Sequence, residues 1–358
     1  MDRIRRKGFV VLETREVFEG YWVGGAASVG ELVFNTSHSG YEEIATDPSY
    51  LNQIVVMTAP MQGNYGVVPE TRQSENFHIK GFVCLDIQNS DRDRSWSEIL
   101  TNQSIAVIDG LDTRSLVLYL RQRGTTWGAA LDAETQEEAL TLGLELISKN
   151  KVVASDWTRQ VCVKEELRVA GLKPAGPTIA LLDFGCKSNI LNLVKQHSRE
   201  VSVFPSWTDA DQLVHFDGVV LSNGPGDPAD VKKGVETVKS LLGRLPMFGI
   251  CMGHQVLGLA LGAKTFKLKF GHRGANHPIE DEILGQVYVS SQNHGYAIVE
   301  ETLPKDVIVT HRNLNDKTVA GIACKALNCM SVQFHPESSP GPNEARALFN
   351  YFFERMLK

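Results

Sequence analysis

From Thr178 onward, short apolar runs alternate with helical patterns: TIALLDF then NILNLVKQH, VSVFP, FDGVVLS then VKKGVETVKSLLGR, MFGI then HQVLGLALGA. Strands this uniformly apolar have no solvated face, so each must lie in a sheet covered by helices on both sides. That predicts an α/β domain over 178–358 with a doubly wound, mainly parallel sheet, whose functional residues gather at the carboxyl ends of the strands. Residues 1–150 read otherwise. Short strands (FVVLE, WVGGAASVGELVFNTS, QIVVMTAP, GFVCLDI) are punctuated by Gly and Pro, and helical spacing comes late, over Asp112–Arg123 and Glu134–Lys149. An N-terminal α+β domain is expected there, with a linker over 151–177, where periodicity fades into GLKPAGP. A length of 358 residues also favours two domains.

Composition narrows the function classes. Hydrophobic content of 42% and charged content of 22% suit an ordinary soluble protein, and a net charge of -6 argues against a nucleic-acid partner. The N-terminus MDRIRRKGFVVLE has no apolar stretch of secretory length. Leu245–Ala263 carries no charge, but its four glycines, Pro246, His254 and Gln255 fit a buried strand, turn and helix better than a membrane span. The six cysteines form no CxxC pair and no zinc spacing, so free thiols in the cytoplasm are expected.

Cys251 follows the apolar run PMFGI at once and precedes the helix GHQVLGLALG, which places it on a strand-to-helix turn bracketed by Gly249 and Gly253. That is the arrangement of a nucleophile elbow, where small flanking residues allow the sharp bend and the helix N-terminus favours thiolate. The Met252 N–H is the donor best placed for an oxyanion. The plainer alternative is a small buried apolar residue, which is what most free cysteines are.

Further along, the strand Cys329–Phe334 runs into His335-Pro336-Glu337. A thiol with a pKa of about 8.5 needs a base at neutral pH, and His335 fits that role. Residues two apart in extended chain share a side, so Glu337 can reach back to orient the imidazole. After FDGVVLS, the loop Ser222–Pro228 exposes backbone donors; Gly226 is the better oxyanion candidate and Gly224 a substrate contact, although an ordinary turn accounts for the glycines equally well. The segment 292–296, QNHGY, suits the charged ends of an amino acid or, equally, a decorated turn. His254, His272, His277 and His294 match no zinc pattern and are read as structural, so no metal is expected.

With SNGPGDP before it and FHPE after it, FGICMGHQ resembles the class I (triad) glutamine amidotransferases. The segments FGHRGANHP (270–278), SQNHGY (291–296) and FNTSHSGYEEIATDPSY (34–50) narrow the resemblance to the small, glutaminase subunits of carbamoyl phosphate synthetases, over almost the whole chain. Met252 stands where Leu is common, Tyr296 where Phe also occurs, and GTTWGAAL (124–131) departs from the usual wording. The resemblance implies Cys251 as nucleophile, His335 as acid and base, and Glu337 as its orienter. It also implies glutamine contacts at Ser37, Gly224, Gly226, Met252, Gln255, Asn293, Gly295 and Tyr296. It implies a cytoplasmic heterodimer with a large subunit that uses ATP and Mg²⁺ to make carbamoyl phosphate for arginine or pyrimidine synthesis, with no cofactor in this chain. The competing readings are a glutaminase subunit of another amidotransferase and a non-catalytic docking subunit.

Overall fold

Alternation decides the strands of the N-terminal half: in Val17–Gly24, Gly20 and Trp22 point inward while Glu19 and Tyr21 face out. The computed structural model describes residues 5–88, 90, 93, 95–152 and 155–357. It divides into two compact units, 1–153 and 154–358.

The first unit runs β1 (Lys7–Leu12), β2 (Val17–Gly24), β3 (Ser28–Asn35), α1 (Tyr41–Thr46), β4 (Gln53–Met57), β5 (Met61–Gln62), β6 (Gly81–Val83), β7 (Asp86–Ile87), α2 (Trp96–Asn102), β8 (Ala106–Asp109), α3 (Thr113–Arg123), β9 (Thr126–Asp132) and α4 (Gln136–Asn150). Seven strands close a barrel in the order β1-β2-β8-β6-β4-β3-β9, and β5 pairs with β7 apart from it. Asp112 caps α3 by accepting from the Ser115 N–H at 3.0 Å. The GTTWGAAL segment supplies β9, which pairs with both β1 and β3 and so closes the barrel. Outside it, Ala139 and Ile147 of α4 pack against Phe9, Val11 and Leu131.

The second unit runs α5 (Thr158–Val161), β10 (Leu167–Ala170), β11 (Thr178–Asp183), α6 (Ser188–His197), β12 (Glu200–Pro205), β13 (Gly218–Leu221), α7 (Lys232–Leu241), β14 (Met247–Ile250), α8 (Met252–Ala260), β15 (Lys264–Asp281), β16 (Gln286–Val299), β17 (Ile308–Asn313), β18 (Val319–Cys324), β19 (Cys329–Val332) and α9 (Ala347–Tyr351). Its sheet has the order β10-β12-β11-β13-β14-β19-β18-β17-β15-β16. Successive residues of β11 face opposite cores. Ala180 and Leu182 join Val238 of α7 and Val256 of α8, while Ile179 and Leu181 join Ile190 of α6 and Phe349 of α9. Both faces are therefore covered, as a doubly wound sheet requires.

Two features differ from the sequence-based expectation. The block β12-β11-β13-β14-β19 is parallel, but β10 and the long wing β18-β17-β15-β16 pair antiparallel, so the sheet is mixed rather than mainly parallel. Residues 151–177, expected as a linker, hold α5 and β10, and β10 pairs with β12. Leu167, Arg168 and Ala170 of β10 are exposed, which erases the apolar alternation that marks a strand. Leu245–Ala263 is β14, the elbow and α8; no helix among the described residues is long and apolar enough to cross a membrane.

Candidate active site

Four parallel strands deliver the site. β11, β13, β14 and β19 are neighbours, so the turn after β11, the loop after β13, the turn after β14 and the segment after β19 emerge along one sheet edge.

Cys251 is the bend between β14 and α8, with φ 54 and ψ −102, a conformation that L side chains rarely adopt. Its N–H bonds the Val332 carbonyl at 2.9 Å, continuing the ladder to β19, and its carbonyl accepts from the N–H groups of His254 and Gln255 at 3.1 and 3.2 Å. The Gly253 N–H donates to the Ser222 carbonyl at 2.9 Å. This close approach explains the bracketing glycines. A Cβ on Gly253 would lie 2.3 Å from the Leu221 carbonyl oxygen, and one on Gly249 would lie 2.6 Å from that of Gly253. Among the described residues the Met252 N–H is the first-turn donor of α8 with no carbonyl partner, so it is available to an incoming oxyanion. The buried Cys251 Sγ lies 3.5 Å from the Asn293 carbonyl on β16.

His335 is tied to β16 by its N–H, which donates to the Ser291 carbonyl at 2.9 Å. Its Nδ1 meets Glu337 Oε1 at 2.6 Å, which fixes that nitrogen as the donor, and Nε2 has no hydrogen-bond partner among the described residues. Burial disfavours an imidazolium here, but the Glu337 carboxylate overrides it, with a smaller contribution from Cys251, and raises the pKa to about 10. Burial likewise works against the Glu337 carboxylate, yet the Lys187 ammonium and then His335 hold its pKa down to about 2.

Sequence reasoning missed Lys187. It sits on the turn after β11, almost wholly buried, with Nζ 2.9 Å from Glu337 Oε1 and 2.5 Å from the Ser338 carbonyl, while its backbone N–H donates to Asn223 Oδ1 at 3.0 Å. A buried ammonium requires such partners. The only trace in the sequence is a lysine just past the first parallel strand, on the edge where the other functional residues emerge.

Of the expected glutamine contacts, Asn293 faces Cys251 Sγ through its carbonyl, and Gly295 and Tyr296 follow it on β16. Gln255, on α8, donates to the Tyr296 carbonyl at 2.9 Å and to Gln333 Oε1 at 3.1 Å, so its carboxamide ties the elbow helix to β16. The loop carrying Gly224 and Gly226 is pinned where Ser222 Oγ accepts from the Phe184 N–H at 2.9 Å. Gly226 has φ 93, which favours glycine. Ser37 belongs to the first unit, just past β3; its N–H donates to Asn35 Oδ1 at 2.7 Å, and its buried hydroxyl has no partner among the described residues. The histidines have structural partners: His254 Nδ1 meets Ser331 Oγ at 2.9 Å, His272 Nε2 meets Asp316 at 2.8 Å, and His294 Nδ1 donates to the Tyr296 carbonyl at 2.7 Å. His277 Nδ1 lies 3.4 Å from Asn315 Nδ2.

The glutamine amidotransferase class-I family matches residues 180–355, the span of the mixed sheet and its elbow. The small-chain CPSase domain of carbamoyl-phosphate synthase matches residues 10–130, within the barrel unit. Fold and site thus define a class I glutamine amidotransferase. The chain is 42% identical over 354 residues to the carbamoyl phosphate synthase small chain of Clostridium acetobutylicum, covering 97% of this chain and 99% of that one. It is 43% identical over 358 residues to the corresponding small chain of Akkermansia muciniphila, with 97% and 96% covered. To the carbamoyl phosphate synthase pyrimidine-specific small chain of Halalkalibacterium halodurans it is 40% identical over 355 residues, again with 97% and 96% covered. The chain belongs to the carbamoyl phosphate synthase small chain family, as its glutamine amidotransferase subunit.

Proposed function

We propose that this chain hydrolyses glutamine through Cys251, His335 and Glu337 and passes the ammonia to a large chain. Cys251 Sγ, its proton already resting on His335 Nε2, attacks the side-chain amide carbon, and the resulting oxyanion is received by the N–H groups of Met252 and Gly226. His335 then returns the proton to the amide nitrogen, the C–N bond breaks, and ammonia leaves behind a γ-glutamyl thioester. Water, losing a proton to the His335 Nε2 left neutral by the first step, attacks the thioester; the C–S bond breaks, glutamate departs and the sulfur is left facing the reprotonated imidazole, as at the start. Glu337 keeps the imidazole in the tautomer this exchange needs.

Gly224, Gln255, Asn293, Gly295 and Tyr296 are proposed to hold the glutamine, together with Ser37 of the first unit. The first unit is assigned to partner contact. ATP and Mg²⁺ belong to the large chain, which combines the ammonia with bicarbonate, in the cytoplasm, for pyrimidine or arginine synthesis. The observation that carries the reading is the buried His335–Glu337 contact on the strand next to a strained cysteine elbow. The test is carbamoyl phosphate synthesis by the reconstituted complex carrying Cys251→Ser. Synthesis from glutamine is expected to vanish while synthesis from ammonia persists; glutamine-dependent synthesis at the wild-type rate would refute the assignment.

A further inference from the structure

Lys187 accounts for where the Glu337 carboxylate points, but the backbone behind it needs a separate explanation. Glu337 is followed by Ser338 at φ 65 and Ser339 at φ 61, two consecutive non-glycine residues in the left-handed region. Such a pair persists only where its surroundings over-determine it. Within the loop, the Ser338 N–H donates to the His335 carbonyl at 3.0 Å, and Ser338 Oγ donates to the Pro342 carbonyl. The remaining grip comes from the β11–α6 connection. Lys187 Nζ takes the Ser338 carbonyl, and Asn189 Nδ2, in the first turn of α6, donates to both the Glu337 carbonyl and, at 3.0 Å, Ser339 Oγ. Asn189 therefore spans the residue that carries the triad carboxylate and the second strained serine.

We infer that Asn189 is a positioning residue for the glutaminase reaction, holding the Glu337 backbone so that its carboxylate stays on His335 Nδ1. The inference rests on the proposed role of the triad. Two donors from neighbouring positions act on different parts of the same residue, since Lys187 neutralises the carboxylate and Asn189 anchors the peptide behind it. Without the anchor, the left-handed pair relaxes and the carboxylate drifts from the imidazole, which then titrates lower. The charged and titratable groups facing this pair are Lys187, Cys251 and the Cys186 thiol, and none of them replaces the lost contact.

The experiment uses the full chain carrying Asn189→Asp, close to isosteric but presenting oxygen to the Glu337 carbonyl, and Asn189→Ser, which keeps a short donor. For Asn189→Asp, kcat for glutamine hydrolysis is expected to fall about tenfold to a hundredfold with KM little changed. The alkaline limb of the kcat profile should move to lower pH, and Asn189→Ser should recover part of both effects. An unmoved limb, a kcat loss that merely tracks the folded fraction on thermal melting, or a change confined to KM would overturn the inference. Iodoacetamide alkylation of Cys251 against pH, localised by mass spectrometry, reads the same coupling without turnover. If wild type released no glutamate, the glutaminase reading would fall, while a wild-type-like alkylation profile in Asn189→Asp would remove the Asn189 role by itself.

Discussion

The proposed nucleophile and its proposed base stand just past adjacent parallel strands, β14 and β19, yet different physics holds each in place. Cys251 is fixed by backbone geometry: a strained dihedral, four peptide hydrogen bonds around the bend, and two glycines that let α8 sit against β13. His335 is fixed by charge, through a buried carboxylate shared with a buried ammonium. A geometric device is indifferent to pH and fails when its shape is altered. An electrostatic one tolerates small changes of shape and fails when a proton or a charge is removed.

This contrast can be broken from either side. Cys251→Ser removes the nucleophile without touching the charges; glutamate release should drop by about 10⁴-fold or more, with the thermal unfolding midpoint nearly unchanged. Gly253→Ala forces a methyl group against the Leu221 carbonyl. It should lower kcat about a hundredfold and cost about 1–3 kcal/mol in urea unfolding, with no shift in the pH profile. Lys187→Met should lower kcat about tenfold, because Glu337 loses a partner and its hold on the imidazole. Since Lys187 depresses the His335 pKa, its removal should move the alkaline limb upward, opposite to the direction expected of Asn189→Asp.

The smallest effect is on stability against pH. Glu337 titrates at about 2, below its ordinary 4.5, so its contribution is present above pH 4.5 and is lost as the pH falls toward 2. His335 titrates at about 10, above its ordinary 6.5; its contribution is complete below pH 6.5 and disappears as the pH rises through 10. Urea unfolding of the wild type should therefore weaken between pH 6.5 and 10. His335→Gln should flatten that decline, whereas Gly253→Ala should lower the whole curve evenly.

The geometric half was legible in the amino-acid order, because an elbow is a local object: a short apolar run, a cysteine between two glycines, and a helix at once. The electrostatic half was legible only where it is local too. His335 and Glu337 are two apart in extended chain, and their contact follows from that spacing. Lys187 lies far from them in the sequence and meets Glu337 because the turn after β11 and the segment after β19 emerge on the same edge of the sheet, a strand order that no periodicity encodes. Asn189 is hidden for the same reason. Of the antiparallel wing, VYVSS within β16 reads as a strand, but residues such as His272, Arg273, Gln292 and Asn293 are polar yet buried, so β15 and the rest of β16 do not. Closure of the barrel likewise depends on pairing β9 with β1 and β3, which no local pattern announces.

That closure has a practical consequence. Among the described residues, a ring of seven paired strands leaves the barrel without a free strand edge, and the only other strands of the first unit, β5 and β7, are two residues long and offer little for a stray chain to add to. The second unit ends in two open strands, β10 and β16, and Val287 and Val289 on β16 are 61% and 44% exposed. Aggregation on storage or during refolding should therefore start from the β16 border, and shielding that border is the rational route to a more tractable preparation.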